Sequence, residues 1–150
     1  ATTSTHDLPT LNGWWHERDI DWNAQLGLVD ADTEDHWRDN RAHERNGLHH
    51  ALSIDPQNFQ EEATGADQVL NASARFLGHT HAPLVLLPVE DALGVLEQAN
   101  LPGTVGTHPN WRRRLPVECA ALLDLPQVAR RLELLACARL QAQERDECTH

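Results

Sequence analysis

The apolar run PLVLLPV at residues 83–89 constrains the fold more than any other feature of this sequence. Its hydrophobic side chains follow one another without the alternation of a half-exposed strand, and the acidic pair Glu90-Asp91 ends the run. This pattern is typical of a strand buried on both faces in a parallel sheet. A strand of that kind leaves backbone groups unpaired unless other strands lie beside it. We therefore predict that it belongs to a larger β/α structure.

The segments before this strand are predicted to be mostly helical. Residues 1–8 indicate the end of another strand that turns into a loop, and a short helix is predicted at 10–17. An irregular segment or a single turn is predicted over 19–28. Longer helices are predicted at 33–50, with Thr33 as N-cap, and at 64–77. Asp55-Pro56 is predicted to break the first of these helices, and Gly78 is predicted to end the second.

After the strand, a short helix is predicted to follow Glu90-Asp91 as far as Glu97. A loop rich in glycine and proline then leads to Arg112–Leu115. The last helix is predicted to begin near Pro126, with one apolar face made by Val128, Leu132, Leu135 and Ala136. The order of elements is that of a β/α alternation, and we predict the α/β class.

Two polar pairs stand at predicted strand ends, His6-Asp7 and Glu90-Asp91. In a parallel barrel the strands end at a common rim, where the chemistry of such barrels is found. A parallel barrel needs eight strands and about 250 residues, more than 150 residues supply. Both pairs are also compatible with helix N-caps, because Asp7 precedes Leu8-Pro9 and a helix is predicted after Asp91.

Composition narrows the classes of partner. The net charge of -11 argues against a nucleic-acid surface, since phosphate binding needs a basic field. The longest apolar run is far shorter than the roughly 20 residues of a membrane span. We therefore expect a soluble protein. The chain starts at Ala1 without Met and without a signal-peptide pattern, and we expect it to be a fragment of a longer, bacterial polypeptide.

The three cysteines and ten histidines indicate neither a disulfide framework nor a metal site. Cys119, Cys137 and Cys148 are widely spaced, which favours a reducing, cytoplasmic location. Cys137 is predicted to be a small core residue of the last helix. The histidine spacings match no known ligand pattern, so we expect no metal and no cofactor.

Three blocks of sequence carry a resemblance to a known family. The blocks are STHDLPTLNGWW at 4–15, LVLLPVEDALG at 84–94 and QANLPGTVGTHPNWRRRLP at 98–116. In this order they resemble the C-terminal portion of the amylomaltases, the 4-alpha-glucanotransferases of glycoside hydrolase family 77. The resemblance implies the C-terminal part of one catalytic (β/α)8 TIM barrel, helix-rich, with about the last one or two strands, spanning residues 1–150 without a second domain.

The resemblance also implies roles for individual residues. Asp7 would be the carboxylate that stabilises the transition state, with His6 as its sugar-binding neighbour. Asn100 and Gly103 would line the substrate cleft, and Trp14 would face it. Trp111 would brace the loop, and Arg112–Arg114 would fix that loop or pair with acidic groups. The nucleophile and the acid/base would belong to earlier strands, which are absent from this chain.

The implied activity is transfer of α-1,4-glucan segments between maltooligosaccharides, with retention and through a covalent glycosyl-enzyme. The fragment by itself would be inactive and would need the missing N-terminal part of the barrel. Two alternatives stay open: an α-glucan hydrolase, and a small, non-catalytic acidic helical interaction domain. The second alternative leaves the strand at 83–89 without partners.

Overall fold

The structure, a computed structural model, describes residues 1–53 and 63–147. This part of the chain is helix-rich and holds no extended β-strand, only helices joined by loops and extended segments. The helices are α1 (Leu11–Trp15), α2 (Arg18–Gln25), α3 (Ala31–Ala51), α4 (Ala63–Gly78), α5 (Val89–Leu93), the short 3-10 helix η1 (Cys119–Asp124) and α6 (Pro126–Glu147).

The prediction of a strand buried on both faces at residues 83–89 is wrong for the described chain. The segment is extended, but it pairs with one neighbour through a single parallel bridge between Thr2 and Leu86. The Leu86 N–H donates to the Ala1 carbonyl at 2.9 Å. Leu84 and Leu86 remain 63% and 56% exposed. The reason is physical: a strand is buried only when further strands and helices cover it, and the described residues supply none.

Two short helices follow the N-terminal segment. The helix predicted at 10–17 is confirmed as α1, and Thr10 caps it by accepting the Gly13 N–H at 2.9 Å. Residues 19–28 were predicted to be irregular or to form a single turn, but α2 is an eight-residue helix. Glu17, at φ 60°, turns the chain between α1 and α2, and Ile20 is the buried anchor of α2. A single apolar anchor is too weak a periodic signal to indicate a helix from sequence.

The long polar helix α3 begins earlier than predicted. Its N-cap is Asp30, not Thr33, and the carboxylate of Asp30 accepts the Thr33 N–H at 2.9 Å. Hydrogen bonds from Thr33 lower the pKa of Asp30 below its ordinary value. Both residue types are good caps, and the aspartate three residues upstream takes the position. Asp55-Pro56 lies outside the described residues.

The core forms where α1, α3 and α4 meet. Trp15, Leu52, Ala66 and Val69 make a buried cluster. The helix predicted at 64–77 is confirmed as α4, which includes Gly78 as its last residue. Its buried residues recur at helical spacing over two adjacent rows, so α4 packs against α1 on one side and α6 on another.

The face predicted for the last helix is partly wrong. Its start at Pro126 is confirmed, and Val128 is buried, but Leu132 is 38% exposed and Ala136 is exposed. The buried positions of α6 are Val128, Arg131, Ala138 and Ala142. Cys137, predicted to be in the core, is exposed.

A buried guanidinium explains the rotated face of α6. Arg131 is 1% exposed and donates to the Ala92 carbonyl at 2.8 Å and to Asp67. Burial lowers the pKa of Arg131, against the opposing effect of Asp67. A hydrophobicity pattern places every arginine outside, so it cannot find a helix face centred on one.

Candidate active site

The His6-Asp7 pair lies in a turn, where the Leu8 N–H donates to the Thr5 carbonyl at 3.1 Å. His6 Nε2 is 3.3 Å from Asp7 Oδ2. The amide of Asn100 donates to the other carboxylate oxygen, Oδ1, at 2.8 Å. Both side chains of the pair are more than half exposed. The fold thus brings together three of the predicted site residues, from two segments far apart in the chain.

A cavity of about 380 Å³ opens beside this group. Its walls combine apolar side chains with the polar groups of His6, Glu90 and Gln98. The Trp111 ring completes the wall at 5.5 Å from the His6 ring, measured between ring centroids. Cavities of about 300–1,000 Å³ with apolar walls and a few polar groups are typical of small-ligand sites.

Glu90 and Asp91 were predicted to end a strand at the same rim as His6 and Asp7. Glu90 does line the cavity with His6. The helix predicted to follow the acidic pair instead starts at Val89 and contains both residues. It ends at Leu93, short of Glu97, because Gly94 takes a left-handed conformation at φ 74°.

Asp91 faces the N-terminal segment and has a structural role. It is 1% exposed and accepts hydrogen bonds from the Leu11 N–H at 2.7 Å, from Ser4 Oγ at 3.1 Å and from the Thr3 hydroxyl. A buried carboxylate is tolerated when donors surround it in this way. Asp91 therefore fixes residues 3–11, the segment that carries His6 and Asp7, to α5.

The loop after α5 is held from inside by one amide side chain. Asn110 Oδ1 accepts the Leu101 N–H at 2.9 Å and His108 Nδ1 at 2.6 Å, so His108 carries its hydrogen on Nδ1. Asn110 Nδ2 donates to Thr104 Oγ1 at 2.8 Å. The Trp111 N–H closes the loop on the Ala99 carbonyl at 2.9 Å. These bonds join the two ends of the loop, where Asn100 and Trp111 lie.

Glu97 joins this loop to α2. Its carboxylate accepts from Trp22 Nε1 at 2.7 Å and from Arg18 Nε at 2.8 Å, and Arg113 lies 3.2 Å away. Burial alone would raise the pKa of Glu97, but the two hydrogen bonds and the charge of Arg113 lower it below its ordinary value. Arg113 thus pairs with an acidic group, as predicted for the arginine cluster.

Two predicted substrate-binding residues, Trp14 and Gly103, are not in the wall of the cavity beside His6. Trp14 lines a different cavity, of about 340 Å³, with Leu8 and Leu48, and its ring lies under the Arg41 guanidinium at 4.8 Å. Gly103 has φ 79° and no heavy atom within 4 Å of the position a Cβ would take, so it stands free at the loop surface.

The structure instead adds Trp111 to the cavity wall. We predicted that it braces the loop, and its backbone N–H does so. Its ring, however, is 65% exposed beside His6. No periodic pattern in the sequence predicts that the Trp111 ring lies in the cavity wall, because the direction of the ring depends on a left-handed backbone at φ 60°.

Across residues 1–53 and 63–147, histidine, cysteine and acidic side chains form no group of three or more with the geometry of a metal site. The helices in the same ranges are all too short or too polar to cross a membrane.

Comparison with known proteins places the chain in a family. The family model described as 4-alpha-glucanotransferase, glycoside hydrolase family 77, matches residues 1–120. A 4-alpha-glucanotransferase of Haemophilus influenzae is 28% identical over 121 residues, covering 77% of this chain and 17% of the relative. Relatives of the same name from Mycobacterium bovis and Mycobacterium tuberculosis are 29% identical over 112 residues, covering 75% of this chain and 15% of theirs. The chain spans about a sixth of the length of these relatives. It belongs to the 4-alpha-glucanotransferase family, glycoside hydrolase family 77.

Proposed function

We propose that this chain is the C-terminal part of the catalytic barrel of a 4-alpha-glucanotransferase. The complete enzyme would move α-1,4-glucan segments from one maltooligosaccharide to another with retention of configuration. The observation that carries the proposal is the Asp7 carboxylate. One carboxylate oxygen of Asp7 accepts a hydrogen bond from Asn100, and the other contacts His6. The pair lies next to a cavity with polar and aromatic walls.

The reaction would proceed in two displacements. A nucleophilic carboxylate attacks the anomeric carbon while a general acid protonates the departing oxygen. The 4-hydroxyl of a second glucan then displaces the carboxylate and gives its proton to the same group, which now acts as a base. Both of these groups are assigned to parts of the enzyme outside this chain. Each displacement passes through an oxocarbenium-like transition state, whose positive charge and shifted hydroxyls an anion can stabilise.

Asp7 suits that third role. Asn100 fixes the orientation of its carboxylate by a 2.8 Å hydrogen bond, so the charge is in place before substrate arrives. His6 is exposed and able to donate to a hydroxyl of the same sugar. Asn100 keeps a second amide hydrogen for substrate. Gly103 and Trp14 would contact glucan further from the reacting bond, since neither lies in the cavity wall beside His6.

The extended segment supports the barrel assignment. Leu84 and Leu86 are more than half exposed, in a stretch already paired in parallel with residues 1–2. Further parallel strands on this segment would cover the leucines and pair the free backbone. We assign residues 83–89 to the last barrel strand and residues 1–6 to the end of the strand before it. The cytoplasmic location stays a prediction from the cysteine spacing.

The test uses the full-length enzyme with maltotriose as the only substrate. Wild type should release glucose and build a ladder of longer maltooligosaccharides. Asp7→Asn keeps the shape of the side chain and removes its charge. We expect kcat to fall at least about 100-fold with an unchanged melting temperature.

The matched control is Asp35→Asn, the same change at an exposed position of α3, which should leave the ladder intact. An Asp7→Asn variant within tenfold of wild type would remove Asp7 from the mechanism. Hydrolysis of maltotriose without a ladder would show an α-glucan hydrolase. A folded full-length protein that leaves maltotriose unchanged would overturn both assignments.

A further inference from the structure

We infer that Trp111 is a substrate-binding residue whose ring forms a stacking platform for a glucose unit of an α-glucan, next to His6. The inference rests on the proposed function and names a binding residue of the same site. Trp111 was predicted from sequence to brace its loop, and the structure gives that task to its backbone. The ring itself contacts His6 and remains largely exposed to a ligand.

The first observation is the conformation of Trp111. Three non-glycine residues in the described chain have positive φ: Glu17, Ser53 and Trp111. Glu17 joins two helices and Ser53 follows the end of α3, so both lie at helix termini, where such conformations are common. Trp111 lies in a loop. A bulky residue in the left-handed region is unfavourable and persists only when its surroundings enforce it, and such residues cluster at functional sites.

The second observation is that the loop enforces this conformation. The residue before Trp111, Asn110, is held by the Leu101 N–H at 2.9 Å and by Thr104 Oγ1 at 2.8 Å. The Trp111 N–H is held by the Ala99 carbonyl at 2.9 Å. The backbone on both sides of the ring is therefore fixed before any ligand binds. A platform prepared in this way loses little conformational entropy on binding.

The third observation is the position of the ring. Trp111 is 65% exposed, and its ring lies in the wall of the 380 Å³ cavity beside the ring of His6. The rings of His6 and Trp111 are tilted by 46°, so they form two sides of a corner rather than a closed stack.

That corner suits the chemistry of a pyranose. One face of a glucose ring presents C–H groups, which pack on an aromatic face, while the hydroxyls at the rim need polar partners. Here the Trp111 ring contacts the His6 ring and shares the cavity wall with Glu90. Asn100, adjacent to the residue that holds the Trp111 N–H, ties the platform to Asp7.

The experiment compares two variants of the full-length enzyme. Trp111→Gly removes the ring, and glycine adopts φ 60° without strain, so the loop keeps its backbone. Trp111→Phe keeps an aromatic face. For maltotriose, we expect Trp111→Gly to raise KM about tenfold with an unchanged melting temperature, and Trp111→Phe to restore most of the affinity. Trp37→Ala, which removes an exposed tryptophan of α3 outside the cavity wall, should leave KM unchanged.

The outcomes separate the two proposals. Wild-type KM in an active Trp111→Gly enzyme overturns the platform and leaves the transferase assignment standing. If both variants melt at a lower temperature and Trp111→Phe does not restore KM, the ring braces the loop and does not bind substrate. That outcome also overturns the stacking platform. A wild type that neither binds nor converts maltotriose overturns the proposed function and the platform together.

Discussion

The molecule has two regions that differ in how completely they are packed. The helical body, made of α1–α4 and α6, buries Trp15, Val69 and Val128. The extended edge, made of residues 1–5 and 83–88, exposes Leu84 and Leu86. The difference follows from backbone hydrogen bonding. A helix satisfies its N–H and C=O groups within one segment, whereas an extended segment depends on neighbours.

Ion pairs also hold the helical body together. In the helical body Arg38 on α3 contacts Glu17 at 2.7 Å and Asp21 at 2.9 Å, besides Glu34 on its own helix. Hydrogen bonds to Asp21, Glu34 and Glu17 raise the pKa of Arg38. Every cation of the chain is an arginine, whose planar fork suits such multiple contacts. The candidate site lies where this closed region meets the open one.

The largest effect is expected from removing the Asp91 carboxylate, which joins the extended edge to the helical body. Asp91→Ala leaves the Leu11 N–H and the hydroxyls of Thr3 and Ser4 without their acceptor. We expect the free energy of local opening of residues 1–11 to fall by at least about 3 kcal/mol. Hydrogen exchange measured by mass spectrometry on the full-length enzyme should show fast exchange there and unchanged exchange in α4 and α6.

Asp91→Asn is the matched control, because it keeps one acceptor and should cause a smaller increase in exchange. Equal protection of residues 1–11 in wild type and Asp91→Ala would show that the extended edge does not depend on this carboxylate.

A second change should damage only the helical body. A Cβ at Gly78 would lie 2.5 Å from the Leu135 carbonyl oxygen and 2.8 Å from Ala138 Cβ, so α4 and α6 would have to separate. We expect Gly78→Ala to destabilise the protein by about 1–3 kcal/mol. Thermal unfolding and exchange in α6 would report the loss, with residues 1–11 unaffected. A variant as stable as wild type would mean that the two helices are less closely packed than the structure shows.

Acid should loosen the link between α2 and the site loop. The pKa of Glu97 is lowered in the folded protein, so its stabilising contribution is complete above the ordinary value of 4.5 and is lost as pH falls below it. Glu97→Gln should reduce stability near pH 7 by about 1 kcal/mol and flatten the loss on acidification. Melting temperatures of both proteins from pH 7 down to about pH 3 test this. Parallel curves would exclude Glu97 as the group responsible.

The smallest expected effect is a gain in stability. Gly47 lies inside α3 with no heavy atom within 4 Å of its Cβ position. Gly47→Ala should therefore stabilise the protein by about 0.5–1 kcal/mol, because alanine restricts the unfolded chain and fits a helix. The measurement is the melting temperature beside that of Gly78→Ala. The same substitution should then have opposite signs at the two glycines, and a loss at Gly47 would contradict this.

The sequence predicted the features that depend on local rules. The two long helices before the apolar run and the start of α6 follow from apolar spacing and caps, which act within a few residues. The family resemblance led to His6, Asp7 and Asn100, which the structure brings together. The buried face of α6 was predicted only in part, because Val128 is buried but Leu132 and Ala136 are exposed. Arg131 is buried instead, since it contacts Ala92 and Asp67, which are distant in sequence.

The remaining errors have the same cause. The strand at 83–89 needs neighbours that the described residues do not supply, and no local pattern states where those neighbours lie. The direction of the Trp111 ring depends on Asn110 and Ala99, which act through side-chain and backbone hydrogen bonds of a loop. Local patterns thus predict helices well, and they fail where a residue's conformation is set across the fold.

The pairing of the chain's start with Leu86 also sets an order of events during synthesis. The hydrogen bonds that hold residues 1–11 to later segments join partners 80 to 93 positions apart, from the Leu11 bond to Asp91 up to the Asn100 bond to Asp7. Closing so long a loop costs entropy before any contact is gained. On the ribosome, α2 and α3 can form while Asp91 is still untranslated. The turn that carries His6 and Asp7 is therefore among the last parts of this chain to reach its native place.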